Sequence, residues 1–264
     1  MRLMLDEGKT YPLTDKFRQR TALDNLISPG GARRVIVRAL ETLSPQIGNL
    51  ADSFFESGRV FTATTISPDR GINCVGVPGK GPFISVPMRE CSATLLTRLA
   101  HEVGHAIQKT LAKDCSYFCH GIERLLSESI ASFFEMWTLN FILDGRAGIS
   151  LSSDDRLGLL APLFEDIFER TAYALYEERV LLLSEAGDIS AKELSLAWRS
   201  VNEDLYSGLY ILPNEYDAWW AAQAMMFRYP LAQGCYSAAA VVGLSLASGP
   251  NKSQENLCGC LRTA

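Results

Sequence analysis

Two histidines and a glutamate stand where they can do metal chemistry, in the stretch Leu99-Ala100-His101-Glu102-Val103-Gly104-His105-Ala106-Ile107. On a helix, residues four apart lie one turn apart on the same face. Two imidazoles so placed can bind one Zn²⁺, and a glutamate just after the first can reach a water at the metal. A catalytic zinc needs a third protein ligand and keeps its fourth position open. Glu128, in Leu125-Leu126-Ser127-Glu128-Ser129-Ile130-Ala131-Ser132-Phe133-Phe134-Glu135, is the candidate. An unpaired carboxylate in so apolar a segment is costly. Metal coordination offsets that cost; so does a salt bridge to Arg124, one turn earlier. Glu135, two turns beyond Glu128, can accept a hydrogen bond from a ligand imidazole, or can be a solvated carboxylate. Short motifs also arise by chance, and the same pattern fits a core helix that carries two histidines.

Two helices must hold these groups. Leu95, Leu96, Leu99, Val103 and Ile107 give the histidine helix, expected over 92–111, an apolar face to bury. A turn near 114–121 returns the chain, so that a second apolar helix over 121–143 can bring Glu128 to the imidazoles. Upstream, turn signals occur at Asp6-Glu7-Gly8 and Ser28-Pro29-Gly30-Gly31, and helices are expected over 32–43 and, after Ser44-Pro45, to Gly58. Residues 60–87 change texture: Val60 to Ile66 alternates, glycines and prolines follow, and Phe83-Ile84-Ser85-Val86-Pro87 reads as a short strand. The glycine stretch lacks a Gly-Lys-Ser/Thr ending and reads as a loop rather than a phosphate cradle. Helices are expected over 153–184, from Ser190 with Glu193 in the capping-box position, and over 216–229 and 231–247. Residues 248–264 read as a loose tail.

The composition narrows the function classes. The chain has 264 residues, 47% of them hydrophobic, with net charge -5 and its lysines and arginines scattered. That balance gives no footing for nucleic acid or an anionic membrane surface. Neither a secretory signal nor a membrane span is read from the sequence, and the expectation is a cytoplasmic protein. Seven cysteines, an odd number, fit free thiols in a reducing compartment. Cys115, Cys119 and His120 have no evident fourth ligand for a second metal, and Cys258 and Cys260 miss the spacing of a prenylation box.

These residues resemble the M3 family of zinc metallopeptidases, in particular its oligoendopeptidase F branch. The His101-Glu102-Val103-Gly104-His105 form, with glycine before the second histidine, is typical there. Glu128-Ser-Ile-Ala-Ser-Phe-Phe-Glu135 resembles the family's third-ligand segment. Gly71-Ile72-Asn73-Cys74 with Gly76 to Pro82 resembles its glycine-rich segment, and Phe83 to Val86 its edge strand. Val35 to Phe55 is similar to the preceding helices. Met226-Phe227-Arg228-Tyr229 and Tyr236-Ser237-Ala238-Ala239 resemble its Tyr-rich helix and Gly-x-Ser-Ala-Ala stretch. The likeness runs from about residue 32 to 247, and there are two departures. The family enzymes are about twice as long, with an N-terminal helical part that has no counterpart here. The family's histidine before the Tyr-rich helix is also missing: Tyr216 to Gln223 holds none.

The resemblance implies a mainly α, zincin-like metallopeptidase catalytic domain with a small β region before the motif helix, spanning 1–264 as one domain. It implies Zn²⁺ held by His101, His105 and Glu128, Glu102 as general base on the zinc-activated water, and Tyr229 as a donor to the oxyanion, with Tyr216 a weaker candidate. The expected function is hydrolysis of peptide bonds in a peptide or protein substrate, with Phe83 to Val86 pairing with its backbone. Two alternatives stand beside it: a dedicated zinc hydrolase acting on one protein or biosynthetic substrate, and a catalytically lapsed zincin serving as an interaction module.

Overall fold

The structure, a computed structural model, describes residues 10–13, 27–62, 71–77, 79–86, 93–113, 122–206 and 208–249. The turn at Asp6-Glu7-Gly8, the end of the alternating run at Ala63 to Ile66, the return near 114–121 with Cys115, Cys119 and His120, and the tail with Cys258 and Cys260 lie outside them. Helices dominate. In chain order the elements are β1 (Tyr11–Pro12), α1 (Pro29–Glu41), α2 (Pro45–Glu56), β2 (Val60–Thr62), β3 (Asn73–Val77), β4 (Gly81–Val86), α3 (Ala93–Leu111) and α4 (Arg124–Leu143). There follow α5 (Ser153–Phe164), a π-turn (Glu165–Glu169), α6 (Arg170–Ser184), α7 (Ala191–Tyr206), β5 (Tyr210–Ile211), a 3₁₀ helix (Asn214–Ala222), α8 (Ala224–Arg228) and α9 (Ala232–Ser248). The fold is mainly α, as expected, with its small sheet directly before the histidine helix. Among the described residues no single helix is long and apolar enough to cross a membrane.

The chain divides into two compact units, residues 21–163 with 238–264, and residues 1–20 with 164–237. The first holds the histidine helix. Its core joins the apolar faces of α1 and α2 to β4, α3 and α4, with Ile36, Leu40, Leu96, Val103, Ile107, Phe134 and Ile142 fully enclosed. Ser28 caps α1 by accepting from the Gly31 N–H at 3.2 Å, so the helix starts three residues before its apolar pattern does. The indole N–H of Trp137 on α4 donates to the carbonyl of Ala39 at 2.9 Å, satisfying an acceptor in the last turn of α1. Residues 129–136 of α4 are buried without interruption, as expected of a helix packed on more than one side.

The sheet of this unit differs from the sequence expectation. The glycine stretch is not a loop: Asn73–Val77 forms β3, paired antiparallel with β4 from Asn73↔Ser85 to Val77↔Gly81. β2 pairs parallel with the opposite side of β4. β4 is therefore the middle strand, and its ladder groups are already engaged on both sides. It cannot take the substrate strand that Phe83 to Val86 was expected to take. Alternation of buried and half-buried residues along β4 marks it correctly as a strand, but alternation does not tell a middle strand from an edge.

The second unit is built around Trp198, fully buried on α7, stacked on Tyr173 and met edge-on by Tyr176. Ser190 and Glu193 form the expected reciprocal cap, at 2.8 Å and 3.3 Å. The helix expected over 153–184 is interrupted by the π-turn three residues after Pro162, which has no N–H to give to the preceding turn. The helix expected over 216–229 is instead a 3₁₀ helix and a short α-helix, separated at Gln223 by non-helical backbone.

The tyrosines of this unit make a pH prediction. Burial pushes the Tyr173, Tyr176, Tyr206 and Tyr216 hydroxyls above their ordinary pKa of 10.0. The unfolded chain then ionises first, so their contribution to stability is complete below that pH and is lost as pH rises above it. Thermal unfolding from about pH 8 to about pH 11 should show a level Tm that falls beyond about pH 10. Tyr176, whose shift comes from burial alone, should account for part of the fall: the slope should be shallower in Tyr176→Phe.

Candidate metal centre

α3 places His101, Glu102 and His105 along one edge of its buried face, while Leu99, Ala100, Val103, Ala106 and Ile107 turn into the core. α4 packs against α3. The approach is close at Gly104: a Cβ there would lie 3.0 Å from the Ala131 Cα and 2.9 Å from the Phe134 ring. The other side of α4 is equally tight, since a Cβ on Gly243 of α9 would lie 2.8 Å from the Phe133 backbone nitrogen. The glycine before the second histidine is thus a packing requirement. It lets the first turn of α4 reach the imidazoles.

One oxygen of Glu128, Oε2, stands 3.3 Å from Nε2 of His101 and 3.6 Å from Nε2 of His105. One donor atom from each of the three residues falls within 4.8 Å of the others. Metal–nitrogen and metal–oxygen bonds near 2.0–2.2 Å put the edge of a tetrahedral site at about 3.3–3.6 Å. The two Glu128 edges match that spacing, and the donor set suits a divalent metal in its chemistry. Burial works against charge on Glu128, but hydrogen bonds from both imidazoles prevail and hold its carboxyl well below the usual range. Burial likewise works against a charged His101, yet its bonds to Glu128 and Glu135 raise it to about 10.

The far nitrogens are also held. His101 Nδ1 lies 3.0 Å from Oε2 of Glu135, a side chain only 4% exposed, which is the orienting contact expected of that residue. His105 Nδ1 lies 3.2 Å from the Ser127 hydroxyl. Arg98 Nη1 lies 3.5 Å from the same Glu135 oxygen. Ser127 and Arg98 were not singled out in the sequence. Their signal was faint but present: Ser127 adjoins Glu128, and Arg98 stands one turn before His101 in an otherwise apolar segment.

Glu102 accepts a hydrogen bond from the backbone N–H of Cys74 on β3. Burial pushes its carboxyl up from the ordinary range, against the pull of His101 and His105 and of that N–H. A carboxylate shifted upward beside such a locus is better suited to taking and returning a proton than an ordinary one. β3 thus lies beside Glu102 and, among the described residues, at the edge of its sheet. The Cys74 thiol, pushed up to about 12 by burial, is not a nucleophile. Tyr229 belongs to the other compact unit, where it follows α8 and is 46% exposed. Tyr216 is buried there, its hydroxyl donating to Asn202 at 3.1 Å, as a core aromatic does.

No protein-family model matches the chain. No curated protein matches it at a significant level. Among solved structures it is similar to the crystal structure of a "putative peptidase" from Chlamydophila abortus, with a TM-score of 0.79 and 15% sequence identity. The match covers 96% of this chain and 43% of that one, so the chain spans less than half the length of the protein it matches. At that identity the likeness establishes a shared fold.

The helix contact makes its own prediction. Gly104→Ala places a methyl against the α4 backbone, and overpacking of that kind costs about 1–3 kcal/mol. The variant should melt at a lower temperature and bind Zn²⁺ more weakly than wild type, as calorimetry and zinc titration would register. A drop in Tm with unchanged zinc affinity would mean that the close approach serves packing alone.

Proposed function

We propose that the protein is a zinc-dependent peptidase of the M3, oligoendopeptidase F-like type, with residues 1–264 acting as one catalytic domain. The observation that carries this reading is the meeting of His101, His105 and Glu128 beside Glu102, on a fold shared with the Chlamydophila abortus protein. The three residues would hold the metal. When bound there, zinc would supply Lewis acidity toward a water and the scissile carbonyl. Glu102 would take a proton from the attacking water and return it to the leaving amine. The Cys74 N–H keeps the carboxylate oriented between those two roles. Glu135 and Ser127 hold the outer nitrogens of the imidazoles and so fix the direction of the inner ones. An extended substrate backbone is assigned to the outer edge of β3, beyond the Cys74 N–H that Glu102 takes. Tyr229 as donor to the oxyanion is carried by the family resemblance alone.

A second reading draws on a specific feature. Residues 214–222 form a 3₁₀ helix without a histidine, where the family places one to assist the tetrahedral intermediate. An enzyme so altered could serve one dedicated protein substrate. Broad cleavage of a quenched peptide library supports the general peptidase; silence on the library, with cleavage of one native protein, supports the dedicated one.

The base is tested by Glu102→Gln. It should keep stoichiometric zinc and lose turnover by at least about 100-fold. Full activity in that variant contradicts the mechanism. His101→Ala/His105→Ala should lose the metal altogether, and stoichiometric zinc in it would place the metal elsewhere.

A further inference from the structure

Glu135 is met by two residues of the same helix, one through a hydrogen bond and one through an ion pair. Its Oε2 lies 3.0 Å from His101 Nδ1 and 3.5 Å from Arg98 Nη1. Arg98 and His101 are three residues apart on α3, so their side chains leave one face of the helix and converge on one oxygen. Glu135 is buried, while Arg98 is one-third exposed. The guanidinium therefore reaches inward from the surface to a carboxylate that has little other freedom.

The two imidazoles are consequently held unequally. His105 is steadied by a neutral hydroxyl, Ser127. His101 is steadied by a carboxylate that is itself clamped by a cation. A ring fixed at Nδ1 presents Nε2 in one direction, and for His101 that direction is Glu128 Oε2. If Glu135 swung by one rotamer, His101 would turn with it and the three donors would part.

We infer that Arg98 is a positioning residue for the metal centre: by clamping Glu135 it fixes the plane of His101 and so sets the affinity and coordination geometry of the bound metal. This role rests on the reading of His101, His105 and Glu128 as ligands. Arg98 touches neither metal nor substrate. Removing it leaves every ligand in place and loosens one of them. Loss of an outer partner of this kind lowers metal affinity by about 10–100-fold.

The full-length chain, stripped of metal with a chelator, is titrated with Zn²⁺ against a chromophoric competitor. It is also loaded with Co²⁺ for its visible spectrum, which reports coordination geometry. Arg98→Gln should bind Zn²⁺ about 10–100-fold more weakly and show displaced Co²⁺ bands. Arg98→Lys, which returns a cation to the same place, should recover most of the affinity and the wild-type bands. Should Arg98→Gln fail to fold, Arg98→Met keeps the apolar stem and removes the charge, and the same losses are expected of it. Wild-type zinc affinity and an unchanged Co²⁺ spectrum in the folded glutamine or methionine variant overturn the inference. Stoichiometric zinc in His101→Ala/His105→Ala overturns instead the ligand reading beneath it.

Discussion

The candidate site depends on how closely α3 and α4 approach. A Cβ on Gly104 would fall 2.9 Å from the Phe134 ring and 3.0 Å from the Ala131 Cα, so the packing would have to shift to admit one. Because residue 104 is glycine, the first turn of α4 comes within reach of the imidazoles. Glu128 then stands at 3.3 and 3.6 Å from them, and Ser127 and Glu135 meet their outer nitrogens. The apolar contacts behind this line supply the force that keeps it closed. Phe133 and Phe134 are buried to 1% or less, and burying a phenylalanine contributes about 1.5–3 kcal/mol. Polar groups at the edge of such an interface are positioned by packing they do not themselves provide.

Burial also arranges the charges. Three carboxylates, Glu102, Glu128 and Glu135, and two imidazoles share one largely buried locus, where unpaired charge is expensive. Each carboxylate oxygen that matters has an imidazole or a guanidinium facing it. Glu102 is the exception, held by a backbone N–H and pushed upward by burial. The difference fits the proposed roles: Glu128 is held ionised, as the proposed ligand must be, while the carboxyl of Glu102, the proposed base, is pushed upward.

Much of the site was legible because its signals are local. The His101/Glu102/His105 spacing is a property of one helix. Glu128 and Glu135 share another, and a carboxylate in an apolar run is conspicuous. The outer partners were less visible because their meaning is set across helices: nothing within α3 says that Arg98 meets Glu135. The β region shows the same limit. Phe83 to Val86 was recognisable as a strand from its alternation, but strand order belongs to the folded sheet, and β4 lies in the middle with β3 outside it. β3 was hidden by its glycines, which signal a loop in isolation. The 3₁₀ segment over 214–222 shares its apolar residues with an α-helical pattern over so short a run, so its period was not separable from the sequence.

X-ray absorption at the zinc edge of the purified, zinc-loaded protein tests the central claim most directly. The expected result is one zinc per chain with only nitrogen and oxygen neighbours near 2.0–2.2 Å, imidazole scattering from two histidines, and loss of that signal in His101→Ala/His105→Ala. A sulfur shell at about 2.3 Å would place the metal on the cysteines and contradict it.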